Sequence, residues 1–190
     1  RDGLMEGSAR VQDLSVSGSV TGSSYCGLIA GGPGGVYDAC TSSGSVNSLD
    51  GNYVGGIAGS ATSISTCISD AEIYGNGCVG GITGRAEYIS DCVNKGGVSG
   101  SSYTGGIVGY IQSGIANCIN YGEVAGGSYS GGICGYQNLG YLANCINESP
   151  VSGVDNVGGI AGYIVQQTKL VNCVNHADVT GTSDNVGGLC

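Results

Sequence analysis

The side chains of this sequence with a capacity for chemistry are ten cysteines, one histidine, fourteen carboxylates and twelve tyrosines. Cys40, Cys67, Cys92, Cys118, Cys145 and Cys173 follow one another at intervals of 27, 25, 26, 27 and 28 residues. No Cys-x-x-Cys pair occurs, so a closed tetrahedral zinc site would need ligands from four separate repeats. If the repeats stack at about 4.8 Å, successive cysteines come within disulfide range at Cα, but their parallel Cβ vectors do not converge to the roughly 3.8 Å of a good bridge. The expectation is a structural ladder of buried free thiols acting as small hydrophobes, with disulfides as the alternative for a Cys-rich extracellular chain. Cys26, Cys78, Cys134 and Cys190 stand in other columns without an obvious partner.

His176 shares a turn column with Lys95, Tyr121 and Glu148. Without an acidic or nucleophilic companion in the neighbouring columns, it reads as a solvated loop residue. Glu72, Glu123 and Asp178 share a column on alternate repeats, roughly 10 Å apart, too far for a common calcium ion or a retaining-glycosidase pair. The calcium-binding nonapeptide is missing, and Arg85, Lys95 and Lys169 are scattered singly. No catalytic, metal-binding or cofactor-binding residue is therefore expected. The tyrosines are the most suggestive of binding. Tyr110, Tyr136 and Tyr163 follow three consecutive glycine motifs, and Tyr53, Tyr103 and Tyr129 lie two residues before such motifs. Exposed aromatic rows grip sugars or a protein surface, so Tyr110, Tyr136 and Tyr163 form a candidate binding face for a host glycan or glycoprotein. The alternative is that they stack on one another to shield the corners.

The element that must position these residues is a repeat. Gly55-Gly56-Ile57-Ala58-Gly59 returns at residues 80–84, 105–109, 131–135 and 158–162, with an imperfect earlier copy at 27–31 and a shortened one at 187–190. A period of this length means one supersecondary unit stacked many times. Four further columns keep the register. A β-branched column (Val20, Val46, Ile73, Val98, Val124, Val151, Val179) lies six residues after each ladder cysteine, with Leu14 in the cysteine's place in the first unit. An apolar column (Val11, Ile64, Ile89, Ile115, Leu142, Leu170, with Tyr37 irregular) lies three residues before it. Asparagines flank it: Asn117, Asn144 and Asn172 immediately before, in a column with Thr66 and Asp91, and Asn94, Asn120, Asn147 and Asn175 two residues after. An amide at a corner bonds its own backbone and the amide one coil away, so these columns read as structural ladders.

No segment keeps a helical apolar spacing, and glycines recur every few residues, where each costs about 1 kcal/mol in a helix interior. The fold class expected is all-β: one elongated β-solenoid, or β-helix, of about seven coils with a repeat of about 26 residues. The coils fall near residues 11–36, 37–63, 64–88, 89–114, 115–141, 142–169 and 170–190, making 1–190 one repeat domain cut from a longer chain. At about 4.8 Å per coil the rod is on the order of 30–35 Å long. Glycine is expected at corners with positive φ or where another chain approaches closely.

A formal charge of −9 is wrong for nucleic acid and for an anionic membrane surface, and no run is long enough to insert into a bilayer. With 40 glycines but 2 prolines and no Gly-X-Y triplet, collagen is excluded.

The pattern I-x-N-C-[IV]-N-x-G-x-V-x-G, a short variable stretch, then G-G-I-x-G resembles the GLUG repeat. Its cleanest copy is Ile115-Ala116-Asn117-Cys118-Ile119-Asn120-Tyr121-Gly122-Glu123-Val124-Ala125-Gly126, running on to Gly131-Gly132-Ile133-Cys134-Gly135. The resemblance covers essentially the whole chain, although Ile replaces the more common Leu after the glycines. GLUG-like repeats are similar to segments of large bacterial surface and secreted proteins, including adhesin-like proteins and the non-catalytic parts of immunoglobulin A-specific metallopeptidases. The resemblance implies an extracellular or cell-surface, non-catalytic stalk or adhesive module, with an accessory region of a secreted hydrolase as the alternative. Open solenoid ends imply a capacity for end-to-end self-association.

Overall fold

The computed structural model describes residues 9–165 and 167–190; residues 1–8 of the expected repeat domain, and residue 166, lie outside the described residues. All described elements are strands, paired in parallel with the strands one repeat before and after. The result is a β-solenoid of about seven turns at a spacing of about 26 residues. Three faces run its length. The first carries Ala58–Ser65, Thr83–Ser90 and Val108–Ala116, and the second carries Thr41–Ser48 and Ile68–Gly75. The third and shortest carries Val54–Gly55, Val79–Gly80, Ser102–Gly105 and Ser128–Gly131.

The columns read from the sequence are the registers of these sheets. Val11 pairs with Tyr37, Tyr37 with Ile64, Ile64 with Ile89, Ile89 with Ile115, Ile115 with Leu142 and Leu142 with Leu170. Val20, Val46, Ile73, Val98, Val124, Val151 and Val179 form the second continuous column. Like pairs with like because a one-residue slip would turn each aliphatic side chain out of the bore. Ile57, Ile82, Ile107, Ile133 and Ile160 are fully buried, each contributing about 2 kcal/mol of apolar transfer.

The corners differ from expectation. The glycines of the repeated motif do not adopt positive φ. The left-handed corner is taken instead by the residue before each ladder cysteine, or before Leu14 in the first coil: Asp13, Ala39, Thr66, Asp91, Asn117, Asn144 and Asn172, all at φ between 49° and 56°. A second left-handed column holds Tyr25, Tyr53, Tyr103, Tyr129, Asn156 and Asn185. Asn and Asp tolerate this conformation because their short polar side chains bond locally, which explains the drift of the first column towards asparagine.

The motif glycines answer the other expectation, close approach. A Cβ on Gly106 would lie 2.3 Å from Cγ of Asn120 and 2.2 Å from the carbonyl oxygen of Gly132, and Gly81, Gly132 and Gly159 face Asn94, Asn147 and Asn175 in the same way. The second glycine of each pair thus makes room for a buried amide. Those amides form a ladder: Nδ2 of Asn94 donates to Oδ1 of Asn120 at 2.9 Å, Asn120 to Asn147 at 2.8 Å and Asn147 to Asn175 at 2.8 Å. The Gly-Gly pair and the asparagine that follows the next cysteine, 13 to 16 residues further along the chain, are therefore one packing unit.

The core is correspondingly split. One large cluster gathers the cysteines with the isoleucine columns, and two smaller ones gather the valine column with Val54, Val79 and Val157. Thr104 and Ser130 replace valine on the third face between Val79 and Val157, which is where the smaller cluster divides.

Candidate functional site

The cysteine ladder lies inside the bore. Cys40, Cys67, Cys92, Cys118 and Cys145 have no solvent exposure, and Cys173 is partly covered. All ten cysteines are free thiols. Each ladder Sγ donates to the carbonyl two residues earlier, for example Cys67 to Ser65 at 3.1 Å and Cys118 to Ala116 at 3.3 Å. Burial pushes the Cys134 thiol well above its ordinary range, and the neighbouring Cys118 thiol together with burial pushes Cys145 up to about 12. Neutral, buried thiols of this kind are poor nucleophiles and poor metal ligands.

His176 gains a partner that its neighbouring columns do not supply. Nδ1 lies 3.0 Å from the carboxylate of Glu148, one coil away in its own column. The pair is largely exposed and no nucleophile adjoins it. Glu72, the nearest of its column to a backbone donor, accepts from the Gly97 N–H at 3.2 Å. Among the described residues no three Cys, His, Asp or Glu side chains come together as metal ligands.

The tyrosines do come together. Tyr110 pairs in register with Tyr136, and Tyr136 with Tyr163. Their rings stack at centroid separations of 5.4 and 5.3 Å, with planes 6° and 16° apart. The second tyrosine column stands across the corner, and the two interlock. Tyr103 and Tyr129 stack at 5.1 Å; Tyr103 meets Tyr136 edge-on at 5.5 Å, and Tyr129 meets Tyr163 edge-on at 5.7 Å. The parallel ladder imposes the stacking, because side chains in register on adjacent coils are one strand spacing apart. The left-handed corner turns the second column against the first. The rings shield one another, as the structural alternative expects, and together they form a half-exposed aromatic pavement.

Between Tyr53 and Tyr103 the corner column is interrupted at a single coil. Cys78 occupies the corner column between Tyr53 and Tyr103, and Arg85 occupies the column that continues as Tyr110. With the small Cys78 between two tyrosines and the flexible Arg85 beside it, a groove of about 410 Å³ opens, lined by Tyr53, Cys78, Arg85, Tyr103 and Tyr110. The Arg85 guanidinium lies 5.9 Å from the centroid of the Tyr110 ring. Burial raises the Cys78 thiol to about 11, against the pull of Arg85. Burial also raises the Tyr110 and Tyr103 hydroxyls, so all three are neutral at pH 7. In the sequence Cys78 is legible as the interruption of the Tyr25, Tyr53, Tyr103, Tyr129 column, and Arg85 as the residue that, after Ser60, precedes the tyrosines of the other column.

No protein-family model and no curated protein matches the chain. Among solved structures, the chain is similar to a candidate immunoglobulin A1 protease from Bacteroides ovatus, with 21% sequence identity and a TM-score of 0.63. The match covers 94% of this chain and 66% of that one, so this chain spans just under two thirds of its neighbour's length. At this identity the likeness establishes a shared β-solenoid fold.

Proposed function

We propose that this chain is a non-catalytic stalk or adhesive module, built of GLUG-like repeats, within a large secreted or surface-attached bacterial protein. The observation that carries the reading is the interlocked tyrosine pavement of Tyr103, Tyr110, Tyr129, Tyr136 and Tyr163, a half-exposed aromatic surface with hydroxyl tips spread over three successive coils. Such a surface suits a host glycan or glycoprotein, since aromatic faces cover the C–H faces of sugar rings while hydroxyls bond their edges. Neither nucleic acid nor a membrane interior is a partner in this reading. The bore supplies rigidity and the isolated His176–Glu148 pair supplies no chemistry of its own.

A second reading is favoured by the fold neighbour: the chain is an accessory region of a secreted hydrolase, such as an immunoglobulin-directed protease.

A glycan-array and host-glycoprotein screen with this chain tests the first reading, using the combined Tyr110→Ala, Tyr136→Ala, Tyr163→Ala variant as control. Binding that the triple replacement abolishes is the expected result. Absence of binding on every glycan and glycoprotein would overturn the adhesive role. The second reading requires that this region bind or position the protease's protein substrate, which pull-down with immunoglobulin A would detect.

A further inference from the structure

The groove at Cys78 has the dimensions of a missing ring. Neighbouring rings of the corner column stack at 4.9 Å for Tyr25 and Tyr53 and at 5.1 Å for Tyr103 and Tyr129. Tyr53 and Tyr103 are two coils apart with only Cys78 between them, so their rings are separated by about 10 Å, twice the strand spacing. One further ring fits there at the spacing the rest of the column already uses. The groove volume of about 410 Å³ falls in the range of small-molecule sites.

The lining defines the chemistry of that ring. Three tyrosine hydroxyls and one thiol rim the groove, and they suit a ring bearing hydroxyl groups of its own. Arg85 is the one charged group in the lining. Among the described residues the single ion pair is His176 with Glu148, and no described carboxylate lies within ion-pair distance of the Arg85 guanidinium. Its fork of donors matches a carboxylate bidentately. An otherwise acidic chain, at −9, repels a diffuse polyanion, so the match is to one local carboxylate and not to a strongly charged polymer.

We propose that the Cys78 notch is a subsite for a single carboxylate-bearing pyranose, its ring held between Tyr53 and Tyr103 and its carboxylate paired with Arg85. This rests on the glycan-binding reading of the tyrosine pavement and narrows it to one class of sugar at one coil. Cys78 acts as the floor: it is the small residue whose presence leaves the space open.

The test is titration calorimetry of the 190-residue chain with methyl β-glucuronide and with methyl β-glucoside, which differ in the carboxylate. The glucuronide is expected to bind at least tenfold more tightly, and Arg85→Gln to remove that difference. Cys78→Tyr, which restores the tyrosine found in adjacent coils, is expected to fill the groove and abolish glucuronide binding while leaving the thermal midpoint unchanged or higher. Equal affinity for the two sugars, or glucuronide binding that survives Cys78→Tyr, would overturn the subsite. Tighter binding of 4-hydroxybenzoate than of the glucuronide would also overturn it, in favour of an aromatic ligand. The failures are separable: glycan binding lost in a Tyr136→Ala, Tyr163→Ala double variant but insensitive to Cys78→Tyr would refute the subsite and leave the pavement as the adhesive face.

Discussion

Asn117 and Asn120 flank Cys118 in the same coil, carry the same side chain and belong to ladders of the same period, yet the two ladders do different jobs. Asn120 is fully buried and all four of its hydrogen-bonding positions are used. Its Nδ2 donates to the Gly122 carbonyl at 2.7 Å and to Asn147 at 2.8 Å, while Oδ1 accepts from Asn94 at 2.9 Å and from the Gly122 N–H at 3.2 Å. Asn117 is exposed; its amide spans to Asp91 at 3.0 Å and receives Asn144 at 3.1 Å, with water as a competitor for each bond. The difference teaches that in a solenoid the ladder itself is worth little, and what matters is whether water can replace it. The inner amides are obligatory because a buried unpaired amide is costly; the outer ones are there chiefly because asparagine accepts the left-handed corner at φ 56°.

The largest effect expected is from the bore that encloses the inner ladder. Ile107→Asp places an unpaired carboxylate among fully buried isoleucines and should abolish the cooperative transition of the coils around it, seen as loss of the β signal in circular dichroism. A loss as small as that of a surface replacement would reverse the assignment of inside and outside. Next comes Asn120→Ala, which strands donors and acceptors on Asn94, Gly122 and Asn147 together; denaturant unfolding should show a cost of about 3 kcal/mol. Asn117→Ala should cost only about 1 kcal/mol, mostly from forcing an alanine into the left-handed region, and Asn117→Gly should be near neutral. Similar costs for Asn120→Ala and Asn117→Ala would erase the distinction between the ladders.

The inner ladder also has a loose end that sharpens the comparison. Oδ1 of Asn94 has no hydrogen-bond partner, because the coil before it places Ser69 in the asparagine column, and the Ser69 hydroxyl is unpartnered too. Ser69→Asn should extend the ladder by one rung, with Gly56 already leaving the space, and should raise stability by about 1 kcal/mol.

The thiols beside the ladder make a prediction in pH. Their folded-state values are raised, Cys78 to about 11 and Cys145 to about 12, so the native state holds protons that the unfolded state releases first. Stability should be level below about pH 8 and fall as pH rises from about 9 towards 12, followed as the thermal midpoint. At pH 8 a maleimide should label exposed Cys190 and leave the fully buried ladder cysteines unmodified until the chain is denatured. Labelling of Cys118 in the native protein would contradict its place in the bore.

Columns of like residues determined the β-solenoid from the sequence alone, because parallel stacking makes sequence period and spatial register the same thing. Ile64, Ile89 and Ile115 could be assigned to one column, and Tyr110, Tyr136 and Tyr163 to one face, without coordinates. Period says which residues repeat at a given angle around the rod, but not which angles adjoin. Only the tertiary structure set Gly106 against Asn120, turned the Tyr103 column edge-on to the Tyr110 column, and placed Cys78 beside Arg85. Those contacts depend on the corner geometry, where residues with left-handed φ fix the angle between faces, and no column of identities carries that angle.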